Sequence, residues 1–169
     1  MADPRVTKLA QVLVHYSLNL QPNEEFVIRT SPLAQELTLA VYKEAILAGA
    51  HPLIFTNTPG GAEIFFKHAT DAQIDYISPV QKMVMEQFTA TLSIGASHNS
   101  RELSGVDPAR QSRASKANAE LTKIFMERSA RNELKWCVTV YPTNAAAQDA
   151  DMSLSDYENF VYNAGLLNL

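Results

Sequence analysis

Short apolar runs alternate with amphipathic segments along this chain. Four runs, over residues 25–30, 52–56, 90–94 and 136–141, have the length and composition of buried strands. The runs lack strict alternation of apolar and polar residues, so we expect both faces of each strand to be covered. The segments between them place apolar residues three and four positions apart, which is typical of helices with one buried face. This alternation predicts an α/β fold, a mostly parallel sheet of at least four strands with helices on both faces.

Capping residues indicate where the helices begin. Asp-Pro or Ser-Pro pairs combine an N-cap with a proline at the first helical position, and they mark four helix starts: Asp3, Ser31, Ser78 and Asp107. Thr70 and Gln73 have the spacing of a capping box. A long helix is expected from Asp107 to about residue 129, and a final helix over residues 153–167. The first helix should bury a stripe of apolar residues: Val6, Leu9, Leu13 and Tyr16.

The length of the chain, 169 residues, fits a single domain over residues 1–169. No internal repeat, low-complexity tract or flexible linker divides it. The last five residues, 165–169, are mostly apolar, whereas free termini are commonly polar. Two explanations stay open: the natural polypeptide continues beyond this point, or the terminal helix docks onto the domain.

Charge and composition narrow the range of partners. The formal net charge is −4 and no basic stripe is visible, so a nucleic-acid partner is not expected. The amino-terminal residues lack the pattern of a signal peptide, and no apolar run approaches the roughly 20 residues that span a bilayer. We therefore expect a soluble, cytoplasmic protein without a membrane partner. Cys137 is the only cysteine, which rules out an intramolecular disulfide.

The residues that could carry catalysis or bind metal are sparse. None of the four histidines, His15, His51, His68 and His98, pairs with another at a spacing that shares a helical face, and no HExxH motif occurs. A helix-end position suits His15 as a partner of the helix dipole. Cys137 lies within a predicted strand, where a thiol is expected to be buried and inert. We predict no metal site and no catalytic residue in this chain.

Nucleotide-binding and acyl-transfer motifs are also missing. GxGxxG, GxxxxGK[ST] and GxSxG do not occur. The pair Gly60-Gly61 follows the second predicted strand, where it is consistent with a plain turn or with a phosphate contact. Neither assignment specifies a reaction.

The most site-like segment covers residues 96–102, directly after the third predicted strand. In open α/β sheets, ligands collect beyond the carboxyl ends of the strands. His98, Asn99 and Arg101 are therefore the candidate substrate-proximal residues of this segment. A polar surface loop, in which Arg101 and Glu102 contact each other or solvent, explains the same residues.

The carboxy-terminal part of the sequence has a distinctive pair of segments. They are Pro142-Thr143-Asn144-Ala145-Ala146-Ala147-Gln148 and, shortly after it, Met152-Ser153-Leu154-Ser155-Asp156-Tyr157-Glu158-Asn159-Phe160. This pair resembles the M29 metallo-aminopeptidases, the thermophilic aminopeptidase class, in which a strand that ends in P-T-x-A-x-A-Q is followed by a helix that begins M-S-x-x-x-Y-E-x-F. The segments 32–50 and 106–108, the latter followed by an alanine-rich helix, also fit the family. The resemblance extends in order over nearly the whole chain.

The resemblance implies that the chain is the amino-terminal domain of a longer enzyme that removes amino-terminal residues from peptides. In that family, two divalent ions, such as zinc, cobalt or magnesium, are held by a carboxy-terminal domain whose ligand positions this chain lacks. A homodimer is also implied, with the amino-terminal domain contributing walls of the active site. Its partners would be its own carboxy-terminal catalytic domain and the peptide substrate. A stand-alone module that binds a small molecule or peptide, and a dimerisation domain, are the alternatives.

Overall fold

The computed structural model of the protein describes residues 3–165. The final residues, 166–169, on which the apolar end and the last two predicted helical positions fall, lie outside the described residues.

The four predicted strands form a single sheet, and their predicted bounds agree with the structure to within one residue. They are β1 (Glu25–Thr30), β2 (His51–Thr56), β3 (Ala90–Gly95) and β4 (Lys135–Val140). The strand order is β2-β1-β3-β4, and every neighbouring pair is parallel. The predicted α/β fold is confirmed.

Nine α-helices lie within the described range. They are α1 (Pro4–Gln11), α2 (Gln35–Leu47), α3 (Gly61–His68), α4 (Asp71–Ile74), α5 (Pro79–Gln87), α6 (Pro108–Ala117), α7 (Ala119–Ala130), α8 (Asn144–Asp149) and α9 (Leu154–Gly165). A π-helical turn, Val12–Ser17, extends α1, and a 3₁₀ turn, Pro32–Ala34, precedes α2. No helix of residues 3–165 is long and apolar enough to cross a membrane.

Most of the predicted caps are present. The side chains of Asp3, Ser31 and Asp107 each accept a hydrogen bond from the backbone N–H two residues later. Thr70 and Gln73 form the complete capping box. Ser78 begins α5 without a side-chain cap.

The first helix departs from the regular spacing that predicted its buried stripe. After Gln11 the backbone widens, so that the Leu18 N–H donates to the carbonyl oxygen of Leu13, five residues earlier. This winding shifts the side-chain register. Val14 becomes fully buried, whereas Tyr16 is 66% exposed, so its predicted place in the buried stripe is wrong.

The long helix predicted after Asp107 is two helices. They meet at Asn118, whose side-chain amide donates to the carbonyl oxygen of Ala114 at 2.8 Å. An asparagine that competes for backbone partners in this way favours a helix end over a helix interior. Leu121, on the first turn of α7, is buried.

The two faces of the sheet are covered differently. On the first face, Phe26, Ile28 and Leu92 pack in the main core with residues of α1, α2 and α9. On the second face, α5 and α7 cover mainly the amino-terminal half of the strands, where Phe125 contacts Trp136 with ring centroids 5.8 Å apart. The carboxyl-terminal half of this second face is left open.

The edge strand β4 is covered on one face only. Its residues alternate between partial burial and exposure, so the expectation that both faces of every strand are covered is wrong here. Trp136, Val138 and Val140, which we call the apolar strip, are 54%, 64% and 45% exposed on the second face. The apolar residues of β4 therefore lie in two different environments. The apolar strip is exposed on the second face, whereas Cys137, between Trp136 and Val138, packs against the core on the first face.

Candidate functional site

A cleft forms where the sheet changes its direction of winding. The strands β1 and β3 are neighbours, but β1 continues to β2 on one side and β3 to β4 on the other. The connecting helices consequently lie on opposite faces, because parallel crossovers are right-handed. The loops that leave the carboxyl ends of β1 and β3 therefore diverge and open a crevice, as in other α/β sheets.

The cleft has a volume of about 910 Å³. One wall consists of the open half of the second sheet face, including Arg29, Ser93 and Val138. A second wall is formed by Phe65 and Phe66 of α3. The loops after β1, β2 and β3 form the rim. The cleft is thus mostly apolar on its sides and lined with polar groups where the strands end.

The loop over residues 96–102 is shaped by two hydrogen bonds. The Asn99 side chain accepts from the Arg101 N–H at 3.0 Å, which makes a local turn. The Glu102 carboxylate accepts from the Gly60 N–H at 2.8 Å, which ties this loop to the start of α3. Gly60 adopts φ +84°, a left-handed conformation that glycine takes without strain. Because Glu102 occupies the Gly60 N–H, that group is not free to contact a phosphate.

The three candidate residues of the loop take different positions. His98 lines the cleft and also a smaller adjoining cavity. Asn99 lines only the smaller cavity. Arg101 is exposed and lines neither of them. The loop thus brings His98 to the cleft, while the position of Arg101 agrees with the surface-loop alternative.

Arg29 is a functional candidate that the sequence reasoning missed. It lies on the central strand β1, within the apolar run that predicted this strand. Its side chain faces the open side of the sheet, beside Ser93 of β3. It lines both the cleft and a second cavity of about 310 Å³ next to α5 and α7. The only available signal was a charged residue in a predicted buried strand, which is rare unless the charge is paired.

The environment of Arg29 is unusual for a cation. Within residues 3–165 its Nε is buried without a hydrogen-bond partner, and no ion pair joins its guanidinium. Burial lowers the pKa of Arg29 below its ordinary value. The side chain nonetheless stays charged at neutral pH, because arginine does not deprotonate in proteins. A buried donor without a partner costs about 1–3 kcal/mol, so the fold tolerates a stability cost at this position.

The other candidate groups form no metal or nucleophilic centre in the described chain. No three His, Cys, Asp or Glu side chains of residues 3–165 lie where they could hold a metal ion, so these residues do not fit a two-metal site. His15 contacts Glu44, with Nε2 and Oε2 3.1 Å apart, instead of serving only the helix end. Cys137 is partly exposed, less buried than predicted, and burial raises the pKa of its thiol.

The fold resembles that of wild-type AmpT from Thermus thermophilus, with a TM-score of 0.76 and 19% sequence identity. The match covers 96% of this chain and 42% of AmpT, so the chain spans less than half of that protein. A C-DES mutant with glycine covalently linked to its PLP cofactor matches with a TM-score of 0.40 and 14% identity, over 82% of this chain and 31% of the other. No curated protein matches the chain in sequence.

The family evidence extends over nearly the full sequence. The model of the family described as thermophilic metalloprotease (M29) matches residues 2–169. This range includes the β4–α8 segment that suggested the resemblance, in which Thr143 caps α8 by accepting from the Ala146 N–H at 3.2 Å. The chain therefore belongs to the M29 family of metallopeptidases.

Proposed function

We propose that this chain is the non-catalytic amino-terminal domain of a longer aminopeptidase that uses two divalent metal ions to remove amino-terminal residues from peptides. The observation that carries the proposal is the M29 family match over residues 2–169. The described part of that range, however, has no cluster of side chains that fits a metal. The match to 42% of AmpT is consistent with a protein that has further domains.

The remaining domain would supply the metal ligands and the catalytic groups. Zinc, cobalt and magnesium are the ions that we consider, since such sites are built from histidine and carboxylate ligands. We further propose that the whole protein is a cytoplasmic homodimer. In this arrangement the domain described here contributes its cleft to the wall of the peptide-binding space.

The apolar strip supports the presence of a covering domain. Trp136, Val138 and Val140 project from one face of an edge strand, and contiguous exposed apolar surface on a soluble protein commonly marks an interface. Phe160 on α9 is also 60% exposed. We propose that the catalytic domain packs on the apolar strip.

A stand-alone binding module is the second candidate. The cleft favours it, because a concave, largely apolar space with a few polar groups is the usual form of a small-ligand site. The intact mass of the natural protein separates the two candidates. A mass close to 18.7 kDa supports the module, and a mass more than twice as large supports the aminopeptidase domain.

The direct test is an assay of the natural polypeptide that contains this chain. We expect the purified protein to release the amino acid from leucine p-nitroanilide when zinc, cobalt or magnesium is added. Removal of the metal with a chelator should abolish the release, and re-addition should restore it. Turnover that is unaffected by chelation, or no turnover with any of the ions on anilides and short peptides, would contradict the proposal.

Replacing His98 tests whether the cleft touches the peptide. In the natural polypeptide, His98→Ala is expected to raise KM about threefold to tenfold and leave kcat nearly unchanged, the pattern of a lost binding contact. Arg101→Ala should have a smaller effect on KM, because Arg101 lies outside the cleft. His51→Ala, an exposed histidine at the opposite end of the strands, is the matched control. Unchanged kinetics for His98→Ala would remove the loop from the substrate path.

A further inference from the structure

We propose that Arg29 anchors the carboxylate of a ligand in the cleft, and that this ligand is the free carboxyl end of a short peptide with apolar side chains. The choice of a peptide rests on the proposed function. The assignment of a carboxylate rests on the charge, burial and surroundings of Arg29 alone.

The lining of the cleft contains two formal charges. Arg29 and Glu102 are the lining residues of the cleft that carry a formal charge at neutral pH when histidine is neutral. The Glu102 carboxylate accepts a hydrogen bond from the Gly60 N–H and lies at the loop end of the cleft. Arg29, in contrast, forms no ion pair with any described residue. A single unpaired cation therefore dominates the sheet wall of the cleft and attracts an anion.

The position of Arg29 costs stability, because part of its guanidinium is buried without a hydrogen-bond partner. Three buried side-chain polar atoms of residues 3–165 lack a hydrogen-bond partner: Arg29 Nε, Thr91 Oγ1 and Ser129 Oγ. Only Arg29 among them is charged, and only Arg29 lines the cleft. An arginine that served packing alone would be expected to find a carboxylate or carbonyl partner. The buried Nε is out of reach of a ligand, but no hydrogen bond or ion pair with a described residue engages the terminal Nη1 and Nη2 groups, which can make a two-pronged contact with a ligand carboxylate.

The hydrogen-bond donors of the cleft distinguish between a carboxylate and a phosphate. Phosphate sites usually collect several backbone N–H groups at a helix start or a glycine-rich loop. Here the Gly60 N–H before α3 is already occupied by Glu102. One guanidinium matches one carboxylate in charge and in shape. The cleft thus favours a carboxylate over a phosphate.

The remaining lining of the cleft favours apolar side chains. Phe65 and Phe66 of α3 provide an apolar wall on one side. Ser31 and Thr56 add hydroxyl groups at the strand ends, where a peptide backbone can find donors and acceptors. A short peptide with apolar side chains and a free carboxyl end fits this combination of surfaces.

The test compares two ligands that differ only at the carboxyl end. N-acetyl-leucyl-leucine carries a carboxylate, and N-acetyl-leucyl-leucinamide is its uncharged counterpart. Their blocked amino ends keep an aminopeptidase from processing them, so equilibrium binding can be measured by calorimetry on the natural polypeptide with its metal in place. We expect the acid to bind about tenfold to a hundredfold more tightly than the amide, as for a charge-assisted contact.

Variants of Arg29 test whether this residue causes the preference for the acid over the amide. Arg29→Gln should abolish the preference for the acid, while Arg29→Lys should keep part of it, because lysine retains the charge but not the planar pair of donors. Arg131→Gln, at an exposed arginine beyond α7, should behave like the wild type. Unfolding midpoints of the variants verify that each one is folded.

Three results would overturn the proposal. A preference that survives in Arg29→Gln would place the carboxylate elsewhere, for example on the metal, and would overturn the proposal. No preference in the wild type would mean that Arg29 does not bind the ligand carboxylate. Inorganic phosphate that binds more tightly than the acid would change the class of anion. Either result overturns the proposal. The anilide assay tests the proposed peptidase function independently. If that assay shows no hydrolysis, the binding measurement can still be interpreted.

Discussion

The 169-residue chain on its own is expected to release no amino acid from leucine p-nitroanilide, with or without added zinc, cobalt or magnesium. A metallopeptidase needs a polarised carbonyl and a metal-bound water whose pKa has fallen toward neutrality. Residues 3–165 provide no set of ligands from which such a site could be built. The expected effect is complete loss of activity relative to the natural polypeptide in the same assay.

The chain also lacks an evident substitute nucleophile. Burial raises the pKa of the Cys137 thiol, so little thiolate exists at neutral pH. No serine lies in a GxSxG elbow. Elemental analysis after dialysis is the companion measurement, and we expect no stoichiometric zinc, cobalt or manganese. Chelator-sensitive turnover by the chain alone would overturn the proposal that this chain is non-catalytic.

Local signals in the sequence were sufficient for the strands and most helix starts. Each strand was predicted from an apolar run of the correct length, and Thr70 and Gln73 formed the capping box that their spacing indicated. These features depend on residues close together in the chain. The order β2-β1-β3-β4 was not predicted, because it depends on which distant strands pair.

Three predictions about burial and helix length were wrong. An apolar run predicts buried side chains, but it does not say which part of the protein covers them. Val138, for example, lies in an apolar run that predicts burial, but its side chain is exposed on β4. Tyr16 was misplaced by a change of helical winding, and the helix break at Asn118 depends on one side-chain amide. The position of Tyr16 and the break at Asn118 depend on local backbone hydrogen bonding, and the exposure of Val138 depends on which elements cover β4; periodicity along the sequence shows neither.

The candidate site was predictable in part. The loop over residues 96–102 was identified because it follows a strand end, and His98 does line the cleft. Arg29 was overlooked because it directly follows three apolar residues of the predicted strand, Phe26, Val27 and Ile28. Its importance depends on the absence of a partner among distant residues, which is a tertiary property. A charged residue within a predicted central strand is the signal to look for in similar chains.

Val138→Lys is expected to destabilise the natural polypeptide by about 3–5 kcal/mol, the cost of an uncompensated charge in a buried interface. The reason is the proposed packing of the catalytic domain on the apolar strip, where Val138 is the most exposed member at 64%. In the isolated chain the same lysine would extend into solvent. The change there should stay within about 0.5 kcal/mol, as for an ordinary surface substitution.

Urea denaturation of the natural polypeptide and of the isolated chain measures both values for Val138→Lys. Leu47→Lys is the matched control, because Leu47 is similarly exposed, at 68%, and lies at the end of α2, which packs on the other face of the sheet. We expect this control to have little effect in either protein. A large loss only for Val138→Lys, and only in the natural polypeptide, identifies the apolar strip as the surface that the second domain covers. Equal losses for both variants, or no loss for either, would contradict that packing, because a lysine is costly only where water is excluded around it.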